Sequence, residues 1–113
     1  MHKAGDIILT PFPFTDLSGN KVRPALVLGA QSGGDDVTVC FISSNVSQKV
    51  HKLDVLVDST EKSFQKTGLK LQSIIKITKI ATLDKAVVLG KIGVLDAVNR
   101  KKVKEVLGIY FGI

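Results

Sequence analysis

The sequence predicts a mainly β protein, with six or seven short strands curved into a small barrel and one α-helix closing it at the C-terminus. Short apolar runs rich in Val, Ile, Thr and Phe recur as far as Leu95, the composition that suits a pleated surface. No helical segment separates the early runs, which disfavours a layered α/β fold. Beyond Asp96 the apolar spacing changes from alternation to steps of three to five, the mark of a helix.

Taken in order, GDIILT (5–10) is a short apolar strand and RPALVLG (23–29) a second. Pro24 is compatible with that strand because a proline can occupy its first position or an edge. QSGGDD is a turn, followed by VTVCFISS (37–44) as a third strand. In HKLDVLVD, Leu53, Val55 and Val57 alternate with polar or solvent-compatible residues, predicting a half-buried strand. The polar segment 59–68 reads as irregular, with a helical turn around Thr60 to Phe64. GLKLQSIIKITKIATL holds one long strand or two short ones, and KAVVLGKIGVL another. In the terminal helix Asp96 is the expected N-cap and Gly108 the expected stop. Val98, Val103, Val106, Leu107 and Tyr110 form its apolar side, with Arg100, Lys101, Lys102 and Lys104 mostly opposite.

Composition narrows the function. The 113 residues, 44% of them hydrophobic, fit a single domain spanning 1–113 without staples. The lone Cys40 excludes an intramolecular disulfide, and with no signal-peptide pattern it predicts a reducing, cytoplasmic setting. No apolar run approaches a bilayer span, so no membrane association is expected. The net charge of +6 biases the chain toward polyanions, nucleic acid or an acidic protein, although lysines dispersed for solubility give the same total. His2, Cys40 and His51 lack metal-ligand spacing, and no glycine pattern forms a phosphate loop or a dinucleotide fingerprint. Neither a metal nor a cofactor is expected, and no strand-turn-helix nucleophile elbow is present.

The informative stretch is PFPFTDLSGNKVRPALVLG, residues 11–29. The excursion between the first two strands is far longer than a tight hairpin, and such loops tend to be functional. It carries Phe12, Phe14, Asp16 and Lys21, with Arg23 at its base. The chain has 14 lysines and only two arginines. Pro24 biases Arg23 toward extended backbone, and its planar fork suits a pair of phosphate oxygens better than lysine does. A surface arginine capping a strand, or pairing with Asp16, fits the same pattern. Ser43, Ser44 and Asn45 end the third strand with groups able to bind a phosphate or a base edge, and equally able to serve turn chemistry. Phe12 and Phe14 can stack on unpaired bases or pack beneath the loop.

Together, GDIILTPFPFTDLSGNKVRPALVL, then CFISSN, GLKLQSIIKITKIATLDK and KIGVLD before the last helix, resemble the MazF/PemK family of toxin endoribonucleases along nearly the whole chain. The resemblance implies an SH3-like β-barrel of six to seven strands with a C-terminal helix, usually a homodimer. It also implies metal-independent cleavage of single-stranded RNA, in which the 2′-hydroxyl attacks the adjacent phosphate to give a cyclic phosphate, and silencing by an acidic antitoxin. By the same resemblance Arg23 serves proton transfer or charge stabilisation, and Ser43, with Ser44 the next choice, holds the phosphate. Phe14, Asp16, Lys21, Ser44, Asn45, Lys70 and Gln72 are then RNA-binding or supporting residues. The chain departs from the family at Lys70-Leu71-Gln72-Ser73, where several members carry an arginine followed two residues on by Asp-Gln. With no aspartate there, a catalytically weak or inactive RNA- or protein-binding module is the alternative reading.

Overall fold

In the computed structural model, which describes residues 2–11, 21–45 and 50–113, six strands make one antiparallel sheet. They are β1 (Asp6–Pro11), β2 (Val22–Ala30), β3 (Asp36–Ser43), β4 (Asp54–Val57), β5 (Ser73–Asp84) and β6 (Gly90–Val94), in the spatial order β4-β5-β3-β2-β1-β6. The helix α1 (Ala97–Phe111) follows the last strand. The sheet is a curled half-barrel, and the expected six or seven strands are six among the described residues.

Irregular registers bend the sheet, because an unpaired extra residue kinks its strand and increases the twist. Leu28 is extra in β2, lying between the pairs Val27↔Val39 and Gly29↔Thr38. Ile92 is extra in β6, between the partners of Ile7 and Ile8. The largest irregularity is in β5, where Lys76 pairs with Phe41 but the next pair is Ile80 with Cys40. The stretch read as one long strand or two short ones is therefore one bent strand. Its first part pairs with both β4 and the end of β3, and its second part follows β3 back to Asp36↔Asp84.

Both faces of the sheet are apolar. One packs Ile7, Leu26, Cys40, Ile42, Val55, Val57, Ile75 and Ile77 against Leu95 and Val103, with Phe64, Val106 and Leu107 partly buried beside them. The other carries Ile8, Ala25, Val27, Val37, Val39 and Phe41. These sets are alternate residues of the same strands, the period-two pattern of side chains on opposite faces. The Gly-Asp pair opening β1 is structural. Gly5 has φ 96°, and a Cβ there would lie 2.7 Å from Nε of Arg100. Arg100, the second arginine, donates from Nη2 to the Ala4 carbonyl at 3.3 Å. Asp6, 1% exposed, accepts from the Lys3 amide at 3.1 Å and pairs with Lys91 at 3.3 Å.

Several local expectations are corrected. The helical turn near Thr60 to Phe64 is a 3-10 turn at Lys62–Thr67. KAVVLGKIGVL is not one strand: Lys85–Val87 form a 3-10 turn, with the Asp84 side chain accepting from the Ala86 amide, before β6 begins. Gly108 does not stop the helix. Its carbonyl instead accepts from the Ile113 amide at 2.9 Å, and the chain turns out at Gly112 with φ 72°. Val98 is 66% exposed because it is out of phase with Val103, whose stripe is completed by the buried Asn99. Tyr110 keeps the phase of Val103 but belongs to the last turn and is 45% exposed. No helix is long and apolar enough to cross a membrane among the described residues.

Asp96 caps the helix as expected, accepting from the Asn99 amide at 3.1 Å and from its side-chain amide at 2.8 Å. Partial burial pushes its pKa up, but the hydrogen bonds from Asn99 and from Ser63 outweigh that, and the carboxyl titrates below its ordinary value. A lowered folded pKa gives stability that is complete above the unfolded value, about 4, and lost as pH falls through the folded value. Asp96→Ala is expected to destabilise the protein by about 1 kcal/mol at neutral pH. Urea unfolding of the two proteins would show that difference shrinking once the pH drops below about 4.

Candidate active site

The candidate residues converge on one end of the sheet. Arg23 is the second residue of β2, Ser43 the last of β3, Ser44 and Asn45 follow it directly, and Lys70 and Gln72 immediately precede β5. Lys21, exposed, lies just before β2. The expected contributors Phe12, Phe14 and Asp16 lie outside the described residues.

Pro24 shapes this end. The β2–β3 ladder closes with Ala25↔Phe41, and Pro24, which has no N–H to donate, is the next residue on β2. One step further along each strand lie Arg23 and Ser43, on the face that carries Ala25 and Phe41. Both are half-buried. The Asn45 amide donates to Oγ of Ser43 at 3.1 Å, which orients the hydroxyl and leaves its own proton to donate elsewhere. A permanently charged fork and a fixed hydroxyl beside it form a pair suited to a phosphate and its developing charge.

Sequence reasoning missed Thr10, the residue paired with Arg23 across β1 and β2. It is fully buried on the same face, and its Oγ1 has no hydrogen-bond partner. The available signal is the hydroxyl residue that ends the apolar run GDIILT. Lys76 also lies on this face, one row from Ser43 through the pairs Phe41↔Lys76 and Ser43↔Ile74. Its ammonium is 3.2 Å from Asp54, whose side chain is 7% exposed, so its charge is already matched.

Ser44 and Lys70 reach a different surface. With Leu9, Val22, Pro24, Leu71 and Ile92 they line a groove of about 420 Å³ on the opposite face, around the end of the strands from Arg23. Its apolar floor suits a nucleobase or an apolar side chain. Gln72 does not point freely into it, because Oε1 accepts from the Ser59 amide and hydroxyl at 3.3 and 3.4 Å. The segment carrying Lys70 is held by a backbone crossing. A Cβ on Gly68 would be 2.1 Å from the Ile92 carbonyl oxygen, and one on Gly93 would be 2.3 Å from the Lys66 oxygen.

Other reactive groups stand apart. Cys40 is buried within the sheet, and desolvation pushes its thiol up to about 12, so it is no nucleophile. His51 is exposed, and its amide donates to Asp54 in a turn. No three His, Cys, Asp or Glu side chains come together as a metal site among the described residues.

The architecture is that of a small antiparallel half-barrel with a terminal helix and a cation at one open sheet end. The model of the PemK-like, MazF-like toxins of type II toxin–antitoxin systems matches residues 3–111, and the chain belongs to that family. Solved structures of the same fold include the Mycobacterium tuberculosis toxin MazF-mt6, 22% identical over 96% of this chain and 97% of its own, with a TM-score of 0.73. MazF from Deinococcus radiodurans is 19% identical over 99% and 97% of the two chains, with a TM-score of 0.76. An endoribonuclease from a mycobacterial species, in complex with its cognate antitoxin, is 16% identical over 100% and 97%, with a TM-score of 0.76. A search of curated proteins finds no significant match.

The crossing at Gly68 and Gly93 is testable. Gly93→Ala is expected to destabilise the protein by roughly 1–3 kcal/mol, because its Cβ meets backbone rather than a flexible side chain. Chemical denaturation would measure this, and an unchanged midpoint would show that the crossing relaxes freely.

Proposed function

We propose that this toxin is a single-domain, metal-independent endoribonuclease acting on single-stranded RNA, with Arg23 and Ser43 as its catalytic residues. The observation that carries the reading is their juxtaposition: an arginine and a hydroxyl at the same end and on the same face of neighbouring strands, in a chain of the MazF/PemK family. The 2′-oxygen of the substrate attacks the adjacent phosphorus. A bond forms from O2′ to phosphorus, the bond to O5′ breaks, and the products are a cyclic phosphate and a 5′-hydroxyl. Charge builds on the non-bridging oxygens in the transition state, where Arg23 supplies a cation and Ser43 a hydrogen bond. The proton leaving O2′ passes to Asp16 or to water, since Lys70 to Ser73 contain no carboxylate, and O5′ takes up a proton from water as it departs. Phe14, Lys21, Ser44, Asn45, Lys70 and Gln72 belong to the RNA-binding surround.

The net charge of +6 supports a polyanionic substrate and an acidic antitoxin. So does α1, whose Arg100, Lys101, Lys102 and Lys104 crowd its first half, with no acidic residue in the first turn. That placement opposes the helix dipole and favours an anionic partner. The antitoxin-bound mycobacterial endoribonuclease of the same fold supports the partnership, and we place the toxin in the cytoplasm as a homodimer. A second reading, an RNA- or protein-binding module, is favoured by one specific feature. Gln72 is occupied by Ser59, and no base accompanies it.

Incubation of a long single-stranded RNA with the protein in EDTA separates the two readings. Cyclic-phosphate ends are expected from the wild type. Arg23→Ala should slow cleavage by about 100-fold or more, and Ser43→Ala by roughly 10- to 100-fold, the loss of one hydrogen bond to a charged oxygen. Salt-sensitive binding without cleavage would establish the binding module instead.

A further inference from the structure

Thr10 has a feature that the cleavage chemistry above leaves unused. It is fully buried, it sits on a strand between apolar neighbours, and its Oγ1 has no hydrogen-bond partner. Valine has nearly the same shape and would fill the site without a desolvated hydroxyl. Buried polar groups are ordinarily satisfied. Of the two buried side-chain oxygens without a hydrogen bond among the described residues, Asp6 Oδ1 still faces the Lys91 ammonium at 3.3 Å, whereas Thr10 Oγ1 has no charge partner, which marks it as a group with a role beyond packing. The register names that partner. Thr10 pairs directly with Arg23, on the same face of the sheet. Cross-strand Cβ atoms lie about 4.5–5.5 Å apart. Oγ1 is one bond from its Cβ, and Nε of the arginine three bonds from its own, so the two can close to hydrogen-bond distance.

We infer that Thr10 is a positioning residue for Arg23: when a phosphodiester of the RNA occupies this end of the sheet, Oγ1 accepts a hydrogen bond from the Arg23 Nε–H. That bond fixes the plane of the guanidinium and turns both Nη groups toward the anion. The hydroxyl never touches the substrate. Its contribution is to remove the rotation of a long side chain about its terminal bonds, so that the fork is already oriented when charge develops. The inference rests on the assignment of Arg23 proposed above, and it concerns the orientation of that residue rather than the chemistry.

With only two arginines in the chain, the ¹⁵Nε–Hε spectrum has two side-chain signals, and Arg23→Lys removes one to assign the other. The probe is an uncleavable 2′-O-methyl RNA oligonucleotide of mixed sequence. In the wild-type complex, Hε of Arg23 is expected to be protected from solvent exchange, and Thr10→Val should speed its exchange about tenfold or more. On cleavable RNA the same variant should lower kcat by about tenfold with KM within about twofold, and Thr10→Ser should restore both readouts. Equal protection and equal kcat in Thr10→Val overturn the inference. So do slowed cleavage with unchanged Hε exchange, which is a packing effect, a failure of Thr10→Ser to restore, and a wild type that does not bind the oligonucleotide. If the wild type binds but does not cleave, the ribonuclease reading fails while Hε exchange alone still decides the positioning role. Should Thr10→Val not fold, Thr10→Ala is read by the same exchange measurement.

Discussion

The bend in β5 is the constraint on which the rest of the structure depends. A twelve-residue strand pairs with β4 and the end of β3 through its first part, then skips register and follows β3 to its beginning. That skip is the largest of the register irregularities that bend the sheet, beside the single extra residues in β2 and β6. With it, the strands curl, one apolar set closes against α1 and the other turns inward. Hydrophobic burial supplies the stabilisation, and the bulges decide the shape into which it is delivered.

The same economy governs the sheet end that carries the candidate site. The β2–β3 pairing ends before Pro24, just where Arg23 and Ser43 emerge, so a residue without an N–H to donate marks the start of the site. Several polar groups there are held by hydrogen bonds and by close backbone packing. Asn45 fixes Ser43, Ser59 fixes Gln72, and the Gly68–Gly93 crossing fixes the segment that carries Lys70. Buried charge nearby is matched: Asp54 pairs with Lys76 one row from Ser43, and Asp6 pairs with Lys91 at the other end of β1.

Much of the fold was legible because local chemistry specifies it. Alternation marked β4, the apolar runs marked β1 to β3, and Asp96 marked the helix start through a capping bond made within four residues. The errors fell where two local signals competed or a distant contact outweighed one. Gly108 has the composition of a stop, but a second glycine four residues on, Gly112, takes the left-handed turn and the Ile113 amide closes on the Gly108 carbonyl, a choice between two local signals. Val98 looked like core, but only the sheet beneath α1 decides which stripe is covered, and it chose Asn99, whose amide Asp96 satisfies.

For the site, the sequence by itself determined the residue types and the local stiffness: an arginine set before a proline, a hydroxyl ending a strand, and a basic helix with a surplus of unopposed charge. It determined the family as well, since the same order of motifs runs along the chain. Only the tertiary structure decided which of these groups share a face. Strand register sets Arg23 beside Thr10 and level with Ser43, and sends Ser44 and Lys70 to a groove on the other side. The reason is geometric. Side chains alternate with a period of two along each strand, so one residue of slip in pairing exchanges the faces, and that pairing is settled by long-range burial that no local stretch of sequence encodes.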